Sequence, residues 1–413
     1  MGKLTRDGRL LFVTRFVRLF AYGMLGVVLV FYLTGLGLGE SQTGLLLTLT
    51  LLGDTGVSLV LTTKADRIGR RRMLTIGAIL MTAAGLGFAF TRNFLLLIVA
   101  GTVGVISPSG NEVGPFLPIE QAALSGVVSN RIRTSVFAWY ALAGAIATAA
   151  GSLLAGSATG LMEKAAIAPL ASQRTIVLLY AAFGVVLALL FRRLSPGVEV
   201  DGNAPGPEGM KYLLGIGASR GVVLRLSGLF ALDAFGGGFV MQSFAAYWFY
   251  LRFGVEPATL GGIFFGANLC AGLSALLATR LASRIGLVRT MVFTHLPSNV
   301  LLILVPLMPT LRLAILALLL RFSISQMDVP ARQSYIMAVV APEERAAAAG
   351  ITGVARTTGA AIAPLFAGLL FARPALIDVP FFIAGAVKIL YDLLLYRAFV
   401  NLQPPEERRE LPT

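Results

Sequence analysis

The chain is a succession of long apolar runs, each close to the length that carries an α-helix through a bilayer. A spanning helix takes about 20 consecutive apolar residues. Runs of that kind fall at roughly 10–34, 42–63, 73–91, 94–126, 134–157, 174–191, 222–250, 259–280, 288–308, 311–339, 346–371 and 378–399. They are continuous and not alternating, which excludes a transmembrane β-barrel. They are also rich in Gly and Ala, which let membrane helices approach closely. Hydrophobic residues make up 56% of the 413 and charged residues 13%, about half the ~25% of a soluble domain. A dozen spans need about 240 apolar residues, so most of the chain is committed to lipid. A soluble enzyme, a disordered tail protein and a secreted disulfide scaffold are excluded, and the expected fold is an all-α polytopic membrane protein with 12 transmembrane helices.

Charge falls between the runs. The formal net charge is +14, yet no basic stretch is interleaved with stacking aromatics, so nucleic acid is not the expected partner. Cytoplasmic loops of membrane proteins collect Lys and Arg in this way. Connections after even-numbered runs carry Arg67, Arg70, Arg71 and Arg72, then Arg131 and Arg133, then Arg192, Arg193, Lys211 and Arg220, then Arg280, Arg284, Arg289 and Arg345. Connections after odd-numbered runs hold only Arg92, Lys164, Arg174, Arg252, Arg312 and Arg373. This asymmetry predicts a protein of the plasma (inner) membrane with both termini cytoplasmic. Lys3, Arg6 and Arg9 precede a run longer than a signal-peptide core, which reads as a retained first span. One cysteine, Cys270, permits no internal disulfide, and one histidine, His295, leaves little for a transition metal. Both are read as packing residues, and no metal or cofactor is expected.

A polar stretch from Arg192 to Arg220, rich in Pro and Gly, reads as a linker. It divides the chain into an N-terminal six-helix half at 1–191, a cytoplasmic linker at 192–221 and a C-terminal six-helix half at 222–413. The halves look like copies. Pro118, Gln121, Arg133 and Gly156 recur as Pro330, Gln333, Arg345 and Gly368, each 212 positions later. Leu19-Phe20-Ala21 recurs as Leu229-Phe230-Ala231, and Arg67-Ile68-Gly69 as Arg284-Ile285-Gly286. Two parallel repeats place a pathway at their interface.

The stretch Ala65-Asp66-Arg67-Ile68-Gly69-Arg70-Arg71-Arg72 lies between the second and third runs. It resembles the Gly-x-x-x-Asp-Arg-x-Gly-Arg-Arg loop of the major facilitator superfamily, with Thr62 at the leading glycine position. Span count and repeat layout extend the resemblance over essentially the whole chain. It implies two pseudo-symmetric six-helix bundles around a central cavity and secondary transport by alternating access. Asp66 can accept hydrogen bonds from a loop arginine such as Arg133 or face a helix N-terminus, and Gly69 permits a tight turn. With Arg67, Arg70 and Arg71, and with Glu344 and Arg345 in the matching loop of the second half, these residues form the candidate cytoplasmic gate. The competing reading makes them topology anchors only.

Charges inside the runs are the candidate substrate and proton pathway, because an ionisable group in a membrane is costly. The fourth run carries Glu112 and Glu120 among Pro108, Pro115 and Pro118, so a kinked or partly unwound helix lining a cavity is expected. The tenth carries Arg321, Asp328 and Arg332. By the repeat offset Glu120 corresponds to Arg332, which suggests a carboxylate–guanidinium pair across the cavity; a self-contained Asp328–Arg332 pair is the alternative. Asp54, Asp233 and Arg356 complete the set, with Asp54 and Asp233 as the expected proton carriers. Lys388 and Asp392, four apart, are read as neutralising each other, and Arg15 and Arg18 as snorkelling to the interface.

No nucleotide-binding fingerprint is present, so a proton gradient is the expected drive. The expected function is proton-coupled movement of a small organic solute by a monomer that is not an enzyme, in the direction of efflux. In the family this chain resembles, members that export drugs by antiport carry a Gly-Pro pair late in the fifth span, where this chain reads Gly144 to Gly151 with no proline, which speaks against a drug antiporter. A lipid or lysolipid flippase, or an uptake permease for an organic anion, is the alternative on the same fold.

Overall fold

The computed structural model describes residues 5–109, 115–127, 133–199, 217, 219–341 and 344–402, without the side chains of 66, 67, 125–127, 133–135, 279 and 346. The regular elements are α1 (Arg6–Gly35), α2 (Glu40–Ile68), α3 (Arg70–Phe90), α4 (Phe94–Val103), α5 (Phe116–Val127), α6 (Arg133–Lys164), α7 (Pro169–Phe191), α8 (Arg220–Gly238), α9 (Gln242–Phe253), α10 (Pro257–Ile285), α11 (Leu287–Leu304), α12 (Leu311–Ser325), α13 (Asp328–Val339), α14 (Arg345–Phe371) and α15 (Val379–Phe399). Among the described residues there is no strand. Eleven helical stretches among the described residues are long and apolar enough to cross a membrane, and Phe94–Val103 is a shorter apolar helix. That shorter helix is the first part of the fourth run, so the twelve runs of the sequence are all accounted for.

Three of the runs are interrupted. The fourth breaks between α4 and α5, as its prolines require. Carbonyls freed there find donors elsewhere: the Tyr180 hydroxyl donates to the Val105 carbonyl at 2.6 Å, and the Ser243 backbone N–H to that of Pro108 at 3.3 Å. This is the condition under which irregular backbone survives at membrane depth. The seventh run breaks between α8 and α9, and the tenth between α12 and α13.

Contacts group the chain into two units. One comprises Met1–Ala204, Val240–Leu269 and Pro364–Ile377, the other Pro205–Phe239, Cys270–Ala363 and Asp378–Thr413. These limits do not coincide with a division at the linker, because segments of the second half pack with the first unit. Gly368 approaches Gly44, and Gly261 approaches Gly156.

Each unit contains the same kind of small-residue crossing. In the first unit α1 meets α6 so closely that a Cβ at Gly151 would lie 2.0 Å from the Phe20 carbonyl oxygen, and one at Gly23 2.1 Å from that of Thr148. Ser152 also donates to the Gly23 carbonyl at 3.2 Å. In the second unit α8 meets α14, where a Cβ at Gly359 would lie 2.3 Å from the Ala231 carbonyl oxygen. The duplication is visible again at Gly69 (φ 115°) and Gly286 (φ 88°), which join α2 to α3 and α10 to α11 in left-handed conformations that favour glycine. Overpacking at such a crossing costs about 1–3 kcal/mol or more. Gly151→Val is therefore expected to lower the thermal midpoint of the purified protein, measured by intrinsic fluorescence, while Gly228→Val, where nothing lies near a Cβ, leaves it unchanged.

Candidate functional site

In the second unit, α8, α11, α13 and α15 bring a set of ionisable side chains out of contact with water. Asp233 on α8 is at its centre. Its Oδ1 accepts a hydrogen bond from Lys388 Nζ on α15 at 2.6 Å, and its Oδ2 one from Arg332 Nη1 on α13 at 3.2 Å. The same guanidinium reaches Asp328 Oδ2 at 3.4 Å, one helical turn back. His295 on α11 stands between two carboxylates: its Nδ1 is 2.8 Å from Asp392 Oδ1 and its Nε2 3.6 Å from Asp233 Oδ1. Asn299, one turn along α11, donates to Asp392 Oδ2 at 2.9 Å. Apolar walls come from Phe230, over which Arg332 lies at 5.4 Å, and from Tyr391, edge-on to the His295 ring at 5.8 Å. Arg321 on α12 and Arg356 on α14 are half-buried and within electrostatic reach of Asp233.

One ligand atom each from Asp233, His295 and Asp328 falls within a 4.8 Å set that resembles a metal site in size. The neighbours argue against a divalent ion. Lys388 and Arg332 already occupy both oxygens of Asp233, and a metal cation there would face two positive charges at contact distance.

In the first unit, Glu120 on α5 and Arg18 on α1 form a fully buried ion pair at 2.8 Å. Thr14 donates to Glu120 Oε1 at 2.9 Å and Tyr140 to Oε2, and Arg15 lies over the Tyr140 ring at 4.3 Å. Asp54 is buried on α2, in electrostatic reach of the Tyr180 hydroxyl.

Several expected pairings are replaced. Glu120 and Arg332 are each satisfied within their own unit, by Arg18 and by Asp233 with Asp328, and not by each other. Arg15 and Arg18 do not snorkel: α1 is buried over 83% of its most apolar stretch, and no other spanning helix exceeds 56%. Their guanidinium groups therefore meet protein and not headgroups. Lys388 and Asp392 do not neutralise each other, because Lys388 turns to Asp233 and Asp392 to His295. His295 is a member of the charged cluster and not a packing residue. Glu112 lies outside the described residues, as do the side chains of Asp66, Arg67 and Arg133.

At the loop after α2, the rest of the gate motif holds the start of the linker. Glu199 accepts from the N–H groups of Arg70 (2.6 Å) and Arg71 (3.2 Å), so it caps α3, which Gly69 cannot do with a side chain. Arg70 and Arg71 donate in turn to the carbonyls of Val198 and Leu194. Nothing in the linker's composition singled out Glu199. In the second unit Glu344 accepts from the N–H groups of Gly217 (2.6 Å) and Ser219 (2.9 Å), and Arg345 is exposed. Loss of a cap costs about 0.5–2 kcal/mol. Glu199→Ala is expected to speed amide hydrogen exchange at Arg70 and Arg71 by about 2- to 30-fold, with exchange in the middle of α3 unchanged.

The succession of helices has a counterpart among known proteins. The family model of the Major Facilitator Superfamily matches residues 11–327 and 226–413. The chain belongs to the major facilitator superfamily. Over 427 aligned residues it is 31% identical to an uncharacterized membrane protein of Saccharomyces cerevisiae, covering 96% of this chain and 95% of that one. The solved nucleoside transporter NupG aligns with a TM-score of 0.73 at 13% identity, covering 96% of this chain and 99% of its own. A D-xylose–proton symporter aligns at 0.71 and 16% identity, over 94% and 97%. The fold is that of solute transporters, and the chain is an integral, multi-pass membrane protein.

Proposed function

We propose that this transporter is secondary active, couples to protons, and exports a small organic solute across the plasma membrane with both termini in the cytoplasm. The observation that carries the reading is Asp233, a buried carboxylate shared by Lys388, Arg332 and His295. A group with three competing partners can release one and take another at little net cost, which alternating access requires of a coupling site. In this reading the repeats at 1–191 and 222–413 are the moving bodies, Asp54, Glu112 and Glu120 line the path from the first, and the loop residues Asp66 to Arg71, Arg133, Glu344 and Arg345 close the cytoplasmic side. The loop arginines support the orientation.

The test uses proteoliposomes loaded with pyranine and offered nucleosides, pentoses and aromatic acids in turn. At least one solute is expected to evoke a change of lumenal pH in the native protein and none in Asp233→Asn. A solute flux that leaves lumenal pH unchanged and ignores a protonophore rules out the coupling. Uptake of an organic anion is the second reading, favoured by Arg321 and Arg356. Everted and right-side-out vesicles separate the two directions by the sign of the pH change.

A further inference from the structure

A cavity of about 330 Å³ lies between α2 and α3, lined by Gly56, Val57, Val60, Leu61 and Leu80. All five are apolar. Gly56 makes the room, since a Cβ there would meet nothing within 4 Å. The cavity opens sideways, because Gly56 and Val60 are exposed. The most apolar stretch of α2 is buried over 39% of its length, against 83% for α1, so α2 belongs to the outside of its unit. In a bilayer such an apolar surface meets acyl chains and not water.

Both walls of the cavity end in a cation. On α3 the exposed positions are Arg72, Ile76, Ile79, Ala83, Leu86 and Phe90. Their alternating steps of four and three residues trace one helical face, apolar throughout except at Arg72. On α2 the exposed Lys64 follows Val60 by one turn, so it sits next to the lining residues Val60 and Leu61. Gly69 joins the two helices, five residues after Lys64 and three before Arg72. At 1.5 Å per residue the two cations stand about 7 Å and about 5 Å from that turn, which is nearly the same depth. Neither side chain has an ion-pair or hydrogen-bond partner among the described residues, whereas Arg70 and Arg71 donate to the carbonyls of Val198 and Leu194.

An apolar hollow with two cations at one end has the shape and charge of a phospholipid of net negative charge. The volume takes roughly ten methylene groups, each close to the ~30 Å³ of a liquid water. A lipid tail alone would have little preference for the hollow, since tails are as apolar as the surface they would leave. The headgroup supplies the preference, because basic residues near a membrane surface attract anionic lipid. We propose that α2 and α3 hold an anionic phospholipid of the leaflet beside the Gly69 turn, with one acyl chain in the hollow lined by Gly56 and the phosphate between Lys64 and Arg72. The inference does not rest on the transport reading: the lipid is a bound companion of the protein and not its solute.

The purified full-length protein, in mixed micelles of detergent and phosphatidylcholine, is titrated with phosphatidylglycerol at constant total lipid while its thermal midpoint is followed. The midpoint of the native protein should rise and saturate. The apparent affinity for phosphatidylglycerol should fall about five-fold in Lys64→Gln and in Arg72→Gln, the contribution of one basic residue near a membrane surface, and about 25-fold when both are changed. Gly56→Leu places a side chain where the acyl chain would lie and improves the helix. It should therefore fold as well as the native protein and still lose affinity by a factor comparable to that of Lys64→Gln. Arg312→Gln, at an exposed position of α12, should leave the affinity unchanged, which separates the site from the overall positive charge. Glycerol 3-phosphate, a headgroup without a chain, should not move the midpoint. No difference between phosphatidylglycerol and phosphatidylcholine, an equal rise with glycerol 3-phosphate, or native affinity in either Gly56→Leu or the double variant overturns the proposal.

Discussion

Asp233→Asn destabilises the protein by about 3–5 kcal/mol, the cost of removing one partner of a buried ion pair, and abolishes solute-evoked proton flux. The amide keeps the shape of the side chain and removes its charge. Arg332 retains Asp328 at 3.4 Å and Asn299 still serves Asp392 at 2.9 Å, so the loss falls mainly on Lys388, whose ammonium sits 2.6 Å from Asp233 with both side chains below 10% exposure. The double variant Asp233→Asn with Lys388→Gln should then recover most of the stability, because two neutral groups replace a stranded cation, while transport stays lost. Unfolding in a denaturing-detergent titration measures the first quantity, and lumenal pyranine the second. A single variant that costs less than about 1 kcal/mol, the range of a solvent-exposed pair, would show that the carboxylate is not what holds Lys388 in the membrane. A double variant that transports normally would remove the cluster from the coupling step.

Much of this architecture was readable in the sequence because a bilayer imposes one-dimensional rules. Run length gave the spans, prolines 108, 115 and 118 gave the break between α4 and α5, and the repeat offset anticipated Gly69 and Gly286 in equivalent turns. Composition also singled out Asp233, Asp328 and Arg332, since charge inside an apolar run is rare. What it did not give was the partner of each charge. Partnership depends on which face of one helix meets which face of another, and in helices that are apolar all round no hydrophobic stripe marks that face. Sequence neighbours were therefore preferred to spatial ones: Lys388 was matched to Asp392 one turn away, though Asp233 on α8 holds it. His295 looked isolated because Asp392 lies 97 positions off. Its spacing of four from Asn299 is the one local sign that this face of α11 is polar.

Glu120→Gln is the second change with a large expected effect, again about 3–5 kcal/mol, and it separates the observed pairing from the one that repeat symmetry suggested. Glu120 and Arg18 are each 0% exposed and 2.8 Å apart, with Thr14 and Tyr140 completing the carboxylate's hydrogen bonds. Without the charge, Arg18 loses its ion pair and keeps a weaker amide contact beside the face of Phe116, at 4.8 Å. Two exchanges of charge then give opposite results. Glu120→Arg with Arg18→Glu restores one positive and one negative group in the same pocket, and should recover more than half of what Glu120→Arg alone loses. Recovery stays incomplete because the Thr14 and Tyr140 hydroxyl groups, which donate to the carboxylate, then face a guanidinium that only donates. Glu120→Arg with Arg332→Glu, the exchange that the 212-residue offset invites, sets an arginine against Arg18 in one unit and a glutamate against Asp233 and Asp328 in the other. Like charges at such distances add to the penalty of each single change, so this variant should be the least stable of the series. Rescue by the second exchange and not by the first would mean that Glu120 and Arg332 meet in the working cycle, and that the pairing with Arg18 is not what keeps Glu120 inside the membrane.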